Sequence, residues 1–192
     1  MYNGNIVLLG APGSGKGTLA KQLAEKYGYT LITTGDILRE EKKSGSEIGK
    51  KINDILGKGN LVPDEIVNQI IKNKLENYVP NSRIIFDGFP RTVVQGEFLD
   101  TIADIGLVIY LEVSDNTIRE RILERGKTSG REDDQSIDII NRRILQYKTE
   151  TKPLIDFYGD KKILATIDGE ESISEVFHRV ENIIKLWSDK LR

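Results

Sequence analysis

Gly10, Gly15 and Lys16 stand at the spacing G-x-x-x-x-G-K, within Gly10-Ala11-Pro12-Gly13-Ser14-Gly15-Lys16-Gly17-Thr18. Glycines let a backbone curl until successive N–H groups point at one anion. A following helix turns its positive end toward the same anion, and a lysine adds a point charge. The loop Gly10–Thr18 therefore reads as a cradle for a nucleotide's phosphates, with Lys16 reaching the outer ones. The residue after Lys16 is Gly17 and the hydroxyl comes one place later, at Thr18. That weakens the expectation of direct metal ligation by the hydroxyl.

Two further signals accompany the loop. Asp87 closes the apolar run Ile84-Ile85-Phe86, and an acid beside a phosphate loop can hold magnesium directly or through water. Asp36 is a second, weaker candidate that reads equally well as a helix cap. Arginines form the other signal: Arg39, Arg91, Arg121, Arg125, Arg131 and Arg143 fall at helix ends or in loops. Packed phosphates need forked, permanently charged donors. Arg121 and Arg125, four apart, share a helix face. No general base stands out, and the single His178 reads as a surface residue of the last helix. Transfer to a hydroxyl favours an Asp base. A phosphate acceptor is already anionic near neutral pH, its second pKa being about 6, so it needs none.

The elements that must position these groups follow from the apolar pattern. Ile6–Leu9 is a buried strand, followed by a helix carrying Leu19, Leu23 and Ala24, with Gly28 as its C-cap. Leu31–Thr33, Arg83–Asp87, Leu107–Val113 and Ile163–Ile167 are further strands. Helices open at Thr33–Asp36, run over Glu47–Leu56, lead from Leu61–Glu65 through Leu75, and carry Phe98, Leu99 and Ile102. Gly57-Lys58-Gly59 ends the second of these. Asp115 is the expected cap of a helix to Arg125, Gly126–Asp134 a polar loop, and 136–158 one long helix bent near Pro153. Ser172 caps the last helix. Strands alternating with helices predict an α/β fold with a five-stranded parallel sheet, ligands lying beyond the C-terminal strand ends. The roughly thirty residues between the second strand and the Leu75 helix exceed a simple crossover and read as an insert.

A chain of 192 residues is a one-domain length. Its net charge of −2 argues against a general nucleic-acid surface. No run is long enough to span a membrane, and Met1–Asn5 has no signal-peptide pattern. The absence of cysteine excludes disulfides and thiolate metal sites. A cytoplasmic chain is expected.

These motifs together resemble the adenylate kinase family. The resemblance covers nearly the whole chain: Gly10–Thr18 with Gly after Lys, Thr34-Gly35-Asp36-Ile37-Leu38-Arg39, Gly59-Asn60-Leu61-Val62, Asp87-Gly88-Phe89-Pro90-Arg91-Thr92 with Gln95, Arg121 with Arg125, and Gly130-Arg131-Glu132-Asp133-Asp134. It implies transfer of a phosphoryl group from MgATP to AMP by a monomeric enzyme of the P-loop nucleoside monophosphate kinase fold. ATP would lie on Gly13, Ser14, Gly15, Lys16, Gly17 and Thr18, flanked by Arg121, Arg125 and the Gly169–Glu171 turn. AMP would meet Thr34, Arg39, Leu56, Asn60, Leu61, Val62, Gly88, Phe89 and Pro90. Arg91 would grip its phosphate and Gln95 its adenine edge, while Arg131 and Arg143 would close over the transfer. Arg142 adjoins Arg143, and this stretch carries one extra residue, so the site arginine could be either. Residues 33–62 would be a mobile AMP-binding insert and 126–136 a short lid without a structural zinc. Uridylate–cytidylate kinases share the fold; they tend to lack a Thr at position 34, to have Asn at 92 and to lack Gln at 95, so Thr34, Thr92 and Gln95 favour AMP here. Pro63, where many adenylate kinases have Thr, is a mild departure. A nucleotide-dependent switch would need the loop but not Arg91, Gln95 and the lid arginines.

Overall fold

The computed structural model describes residues 2–58, 60–76 and 82–190. Strands β1 (Asn5–Gly10), β2 (Thr30–Thr33), β3 (Ile84–Asp87), β4 (Ile105–Glu112) and β5 (Leu164–Asp168) pair in parallel in the order β2-β3-β1-β4-β5. β1 is central. The connection leaving β1 runs to β2 in one half of the sheet, and the one leaving β3 crosses to β4 in the other. Such a reversal leaves a crevice at the C-terminal ends of the middle strands, where Gly10 and Asp87 stand.

The sheet is covered on both faces, so its strands are apolar on both. Ile6, Leu8, Ile85, Leu107 and Ile109 pack under α1 (Lys16–Tyr27) and α9 (Ile173–Lys190). The alternating Val7, Leu9, Phe86, Val108 and Tyr110 belong to the opposite core. That core takes in residues of α2 (Thr34–Lys43), α3 (Glu47–Gly57), α4 (Asp64–Leu75), α5 (Val93–Ile102) and α8 (Leu154–Asp160). A third cluster packs Ala11 against Ile118 and Ile122 of α6 (Asp115–Thr128) and Ile140 and Ile144 of α7 (Ile137–Gln146). The phosphate loop is thereby pressed against α6. A Cβ at Gly13, where φ is +81°, would come within 2.8 Å of the Ile122 side chain.

Several boundaries differ from the sequence reading. Ser114, not Asp115, caps α6 by accepting the Thr117 N–H at 3.4 Å; Asp115 is the acid of the first turn. α6 runs on to Thr128, so the first three residues of the expected polar loop are helical. Gly126 lets the Asp134 backbone pass close against this last stretch of α6, since a Cβ there would meet the Asp134 carbonyl at 2.7 Å. The expected long helix is interrupted. A π turn at Tyr147–Thr151 separates α7 from α8, with the Lys152 N–H donating to the Tyr147 carbonyl at 2.8 Å. Pro153 offers no N–H and crowds the carbonyl four residues back, which favours this wider turn. Gly28 ends α1 in the left-handed region at φ +70°, and Ser172 caps α9. Gly59, read as part of the α3 stop and of the Gly59–Val62 motif, lies outside the described residues. No helix among the described residues is long and apolar enough to cross a membrane.

Phe86 is fully buried beside the strand-end acid Asp87. Phe86→Ala is expected to lower unfolding free energy by about 3–5 kcal/mol in urea titration.

Candidate nucleotide site

The loop between β1 and α1 leaves its helix terminus open. Gly15 is the N-cap at φ +100°, and no side chain caps α1. The first N–H groups of a helix have no partner within it, so an anion would supply one. A Cβ at Gly15 would touch nothing within 4 Å, and Gly15, Gly17 and Thr18 are exposed. Ser14 is buried. Lys16 folds back across the loop, its ammonium donating to the carbonyls of Gly10 at 2.7 Å and Ala11 at 2.8 Å and to Ser14 Oγ at 3.3 Å. Burial pushes its pKa down to about 8; Asp87 opposes this, while Arg91, Arg125 and Arg143 add to it.

Those three arginines belong to one crowd. Arg125 makes a fork onto Asp134, Nε to Oδ2 at 2.7 Å and Nη2 to Oδ1 at 2.9 Å. Arg143 reaches Asp134 Oδ1 at 2.7 Å and Asp133 at 2.8 Å. The Asp134 side chain is 0% exposed. Burial alone would raise its pKa, but the bonds from Arg125 and Arg143 outweigh it and hold the carboxyl below its ordinary value. Arg91 is lowered by burial first and then by Arg143, with Arg39 also contributing. Arg131 is lowered by burial, then by Arg39 and Arg125, and among the described residues its guanidinium makes no hydrogen bond or ion pair. Six cations thus act on one another, and the acids named with them are Asp87, Asp133 and Asp134. Arg39 also pairs with exposed Asp36, which places the weaker metal candidate in a surface ion pair.

The two adjacent arginines part. Arg143 turns inward, while the exposed Arg142 donates to the Lys58 carbonyl at the end of α3 at 3.0 Å. Arg121 donates to the Gly169 carbonyl at 2.8 Å, bracing the turn after β5. Glu171 in that turn pairs with Arg179.

The expected monophosphate side lies at the ends of β2 and β3. Thr34 is 1% exposed and its hydroxyl has no hydrogen-bond partner. Arg91 Nε donates to the Gly88 carbonyl at 2.9 Å. Gly88 has φ +80°, and a Cβ there would lie 3.2 Å from Arg91 Nη2. Gln95 is buried, its Oε1 accepting the Arg91 N–H at 2.8 Å and its Nε2 donating to Asp64 Oδ1 at 2.7 Å. Phe89, Pro90 and Val62 are buried, with Phe89 and Val62 in the core, whereas Leu56 and Leu61 are partly buried and Asn60 is exposed. Sequence reasoning missed Asp64 as a partner and the anchoring role of Asp134. The Glu-Asp-Asp run after Arg131 was the available signal for the second.

A protein-family model described as adenylate kinase matches residues 8–163. The chain belongs to the adenylate kinase family. It is 41% identical over 186 residues to an adenylate kinase of Parabacteroides distasonis, covering 94% of this chain and 97% of that one. It is 40% identical over 178 residues to one from Bacteroides thetaiotaomicron, covering 90% and 94%. It is 38% identical over 193 residues to one from Porphyromonas gingivalis, covering 98% and 97%.

Because Lys16 titrates near 8 in the folded protein and at 10.5 otherwise, the unfolded chain binds the extra proton between those values. The penalty is therefore complete below about pH 8, and stability gains from this group as pH rises through the window. A bound polyphosphate would raise the folded value. ATP binding at pH 8 is expected to take up about half a proton, read by calorimetry in buffers of different ionisation enthalpy. Lys16→Met should abolish the uptake; equal uptake in the variant would remove Lys16 from the site.

Proposed function

We propose that the chain is an ATP:AMP phosphotransferase that moves the terminal phosphoryl group of MgATP to AMP, giving two ADP. The surplus of half-buried positive charge carries this reading. Lys16, Arg39, Arg91, Arg125, Arg131 and Arg143 repel one another at one strand-end face, and two polyphosphates meeting end to end would neutralise them. One nucleotide on the loop would not call for the second bank of arginines.

ATP would lie with its phosphates on Gly13–Thr18 and Lys16 on the transferred group. AMP would enter beside Thr34, whose unpartnered buried hydroxyl suits a polar ligand, with Arg91 on its phosphate and Gln95 on its adenine. Its phosphate oxygen is anionic at neutral pH, so the enzyme aligns two anions and offsets their repulsion rather than removing a proton. Arg125 and Arg143, fixed by Asp134, are preorganised for charge that spreads during transfer. Residues 33–62 and the lid at 126–136 would close over the pair and exclude water, the competing acceptor. The Arg142 bond to Lys58 joins α7 to that insert.

Asp87 fits the ion expected with ATP. Its Oδ2 lies 3.4 Å from where a Cβ at Gly17 would stand, beside the loop. The ion would be carried in by the phosphates, with Asp87 holding it through water. Bound there, magnesium would offset phosphate charge. The chain would act on small molecules, as a monomer in the cytoplasm.

A panel of nucleoside monophosphates with MgATP, read as diphosphate formed, is expected to give the highest kcat/KM with AMP; higher values with CMP or UMP would contradict the reading. Arg91→Lys should lower kcat/KM for AMP about 10- to 100-fold, the worth of charge-assisted hydrogen bonds of ~1.5–3 kcal/mol. Unchanged kinetics would exclude the grip.

A further inference from the structure

The Gln95 amide is held by two partners of opposite and fixed character. The Arg91 backbone N–H can only donate and faces Oε1 at 2.8 Å. The Asp64 carboxylate can only accept and faces Nε2 at 2.7 Å. A flipped amide would set N–H against N–H and oxygen against oxygen, so the orientation is unique. Asp64 is itself fixed: its Oδ2 accepts from the Thr92 hydroxyl at 3.0 Å. That hydroxyl in turn accepts the Gln95 N–H at 3.1 Å, capping α5. Asp64 is the first residue of α4 and Gln95 lies in the first turn of α5, so the lock joins two helix starts through residues 31 positions apart in sequence.

One N–H and one carbonyl lone pair of the Gln95 amide remain uncommitted. A 6-amino purine donates from its exocyclic group beside an accepting ring nitrogen. A 6-oxo purine accepts at that exocyclic position, and on its Watson–Crick edge the adjacent ring nitrogen donates. A free amide serves either by turning over; a locked one serves a single order. We infer that Asp64 is a specificity-positioning residue, which fixes the Gln95 amide so that the site accepts a 6-amino purine monophosphate and rejects its 6-oxo counterpart. The inference rests on the reading of Gln95 as the adenine contact and adds what makes that contact selective.

The test compares kcat/KM for AMP and for inosine monophosphate in the wild type, Asp64→Ala, Asp64→Asn and Gln95→Ala, with KM for ATP as an internal check. Asp64→Ala leaves only the Arg91 N–H to oppose a flip and is expected to narrow the AMP preference several-fold, up to about tenfold, the scale of one buried hydrogen bond, with KM for ATP unchanged. Asp64→Asn, close in size and able to face either amide orientation, should narrow it by less, and carries the test if the alanine variant does not fold. A packing role alone would lower both monophosphates by the same factor. An unchanged ratio in the Asp64 variants therefore overturns the inference. If Gln95→Ala also leaves the ratio unchanged, the base is not read there and the site assignment fails as well. If Gln95→Ala collapses the ratio while the Asp64 variants keep it, only the role of Asp64 falls.

Discussion

Like charges crowded at one end of a sheet set the terms for the rest of this molecule. Two unit charges 4 Å apart interact with about 4 kcal/mol at an effective dielectric near 20, so cations facing one another at the strand ends need an anchor. Asp134 provides it: a buried carboxylate carries a two-pronged bond from Arg125 and another from Arg143. What it does not offset shows in Lys16 and Arg91, both depressed by burial and by their cationic neighbours. A protein that holds such a cluster without a matching set of acids is shaped for a polyanion.

The fold makes that arrangement affordable. A parallel sheet buried on both faces is stabilised by its two cores, so its C-terminal edge is free to carry groups that repel. Gly10 and Asp87 end the paired strands β1 and β3, which sets the loop and the acid side by side. The third cluster presses α6 and α7 onto the loop at Ala11. It thereby brings Arg125 and Arg143, on different helices, to one carboxylate. The π turn before Pro153 also serves the site, since buried Thr151 donates its hydroxyl to the Arg91 carbonyl at 2.8 Å.

What was legible in the sequence was local. The loop motif, the strands, the Gly28 stop and the Ser172 cap all follow from spacing within about a dozen residues. The partnerships were not. Asp64 meets Gln95 across 31 positions and Thr151 meets Arg91 across 60; neither pairing leaves a periodic trace. Gly126 reads as a loop residue by type, yet sits inside α6, and it is glycine because the Asp134 backbone passes too close for a side chain. The choice between Arg142 and Arg143 was open in the sequence, and helix facing separates them: one points to Asp134, the other to the α3 terminus.

If the cluster exists to align two nucleotides and keep water out, the fate of one phosphoryl group decides the matter. ATP labelled in its terminal phosphate, incubated with AMP and magnesium, should deliver the label to the outer phosphate of ADP, with negligible inorganic phosphate formed. Label released mainly as inorganic phosphate, at a rate indifferent to AMP, would contradict the account.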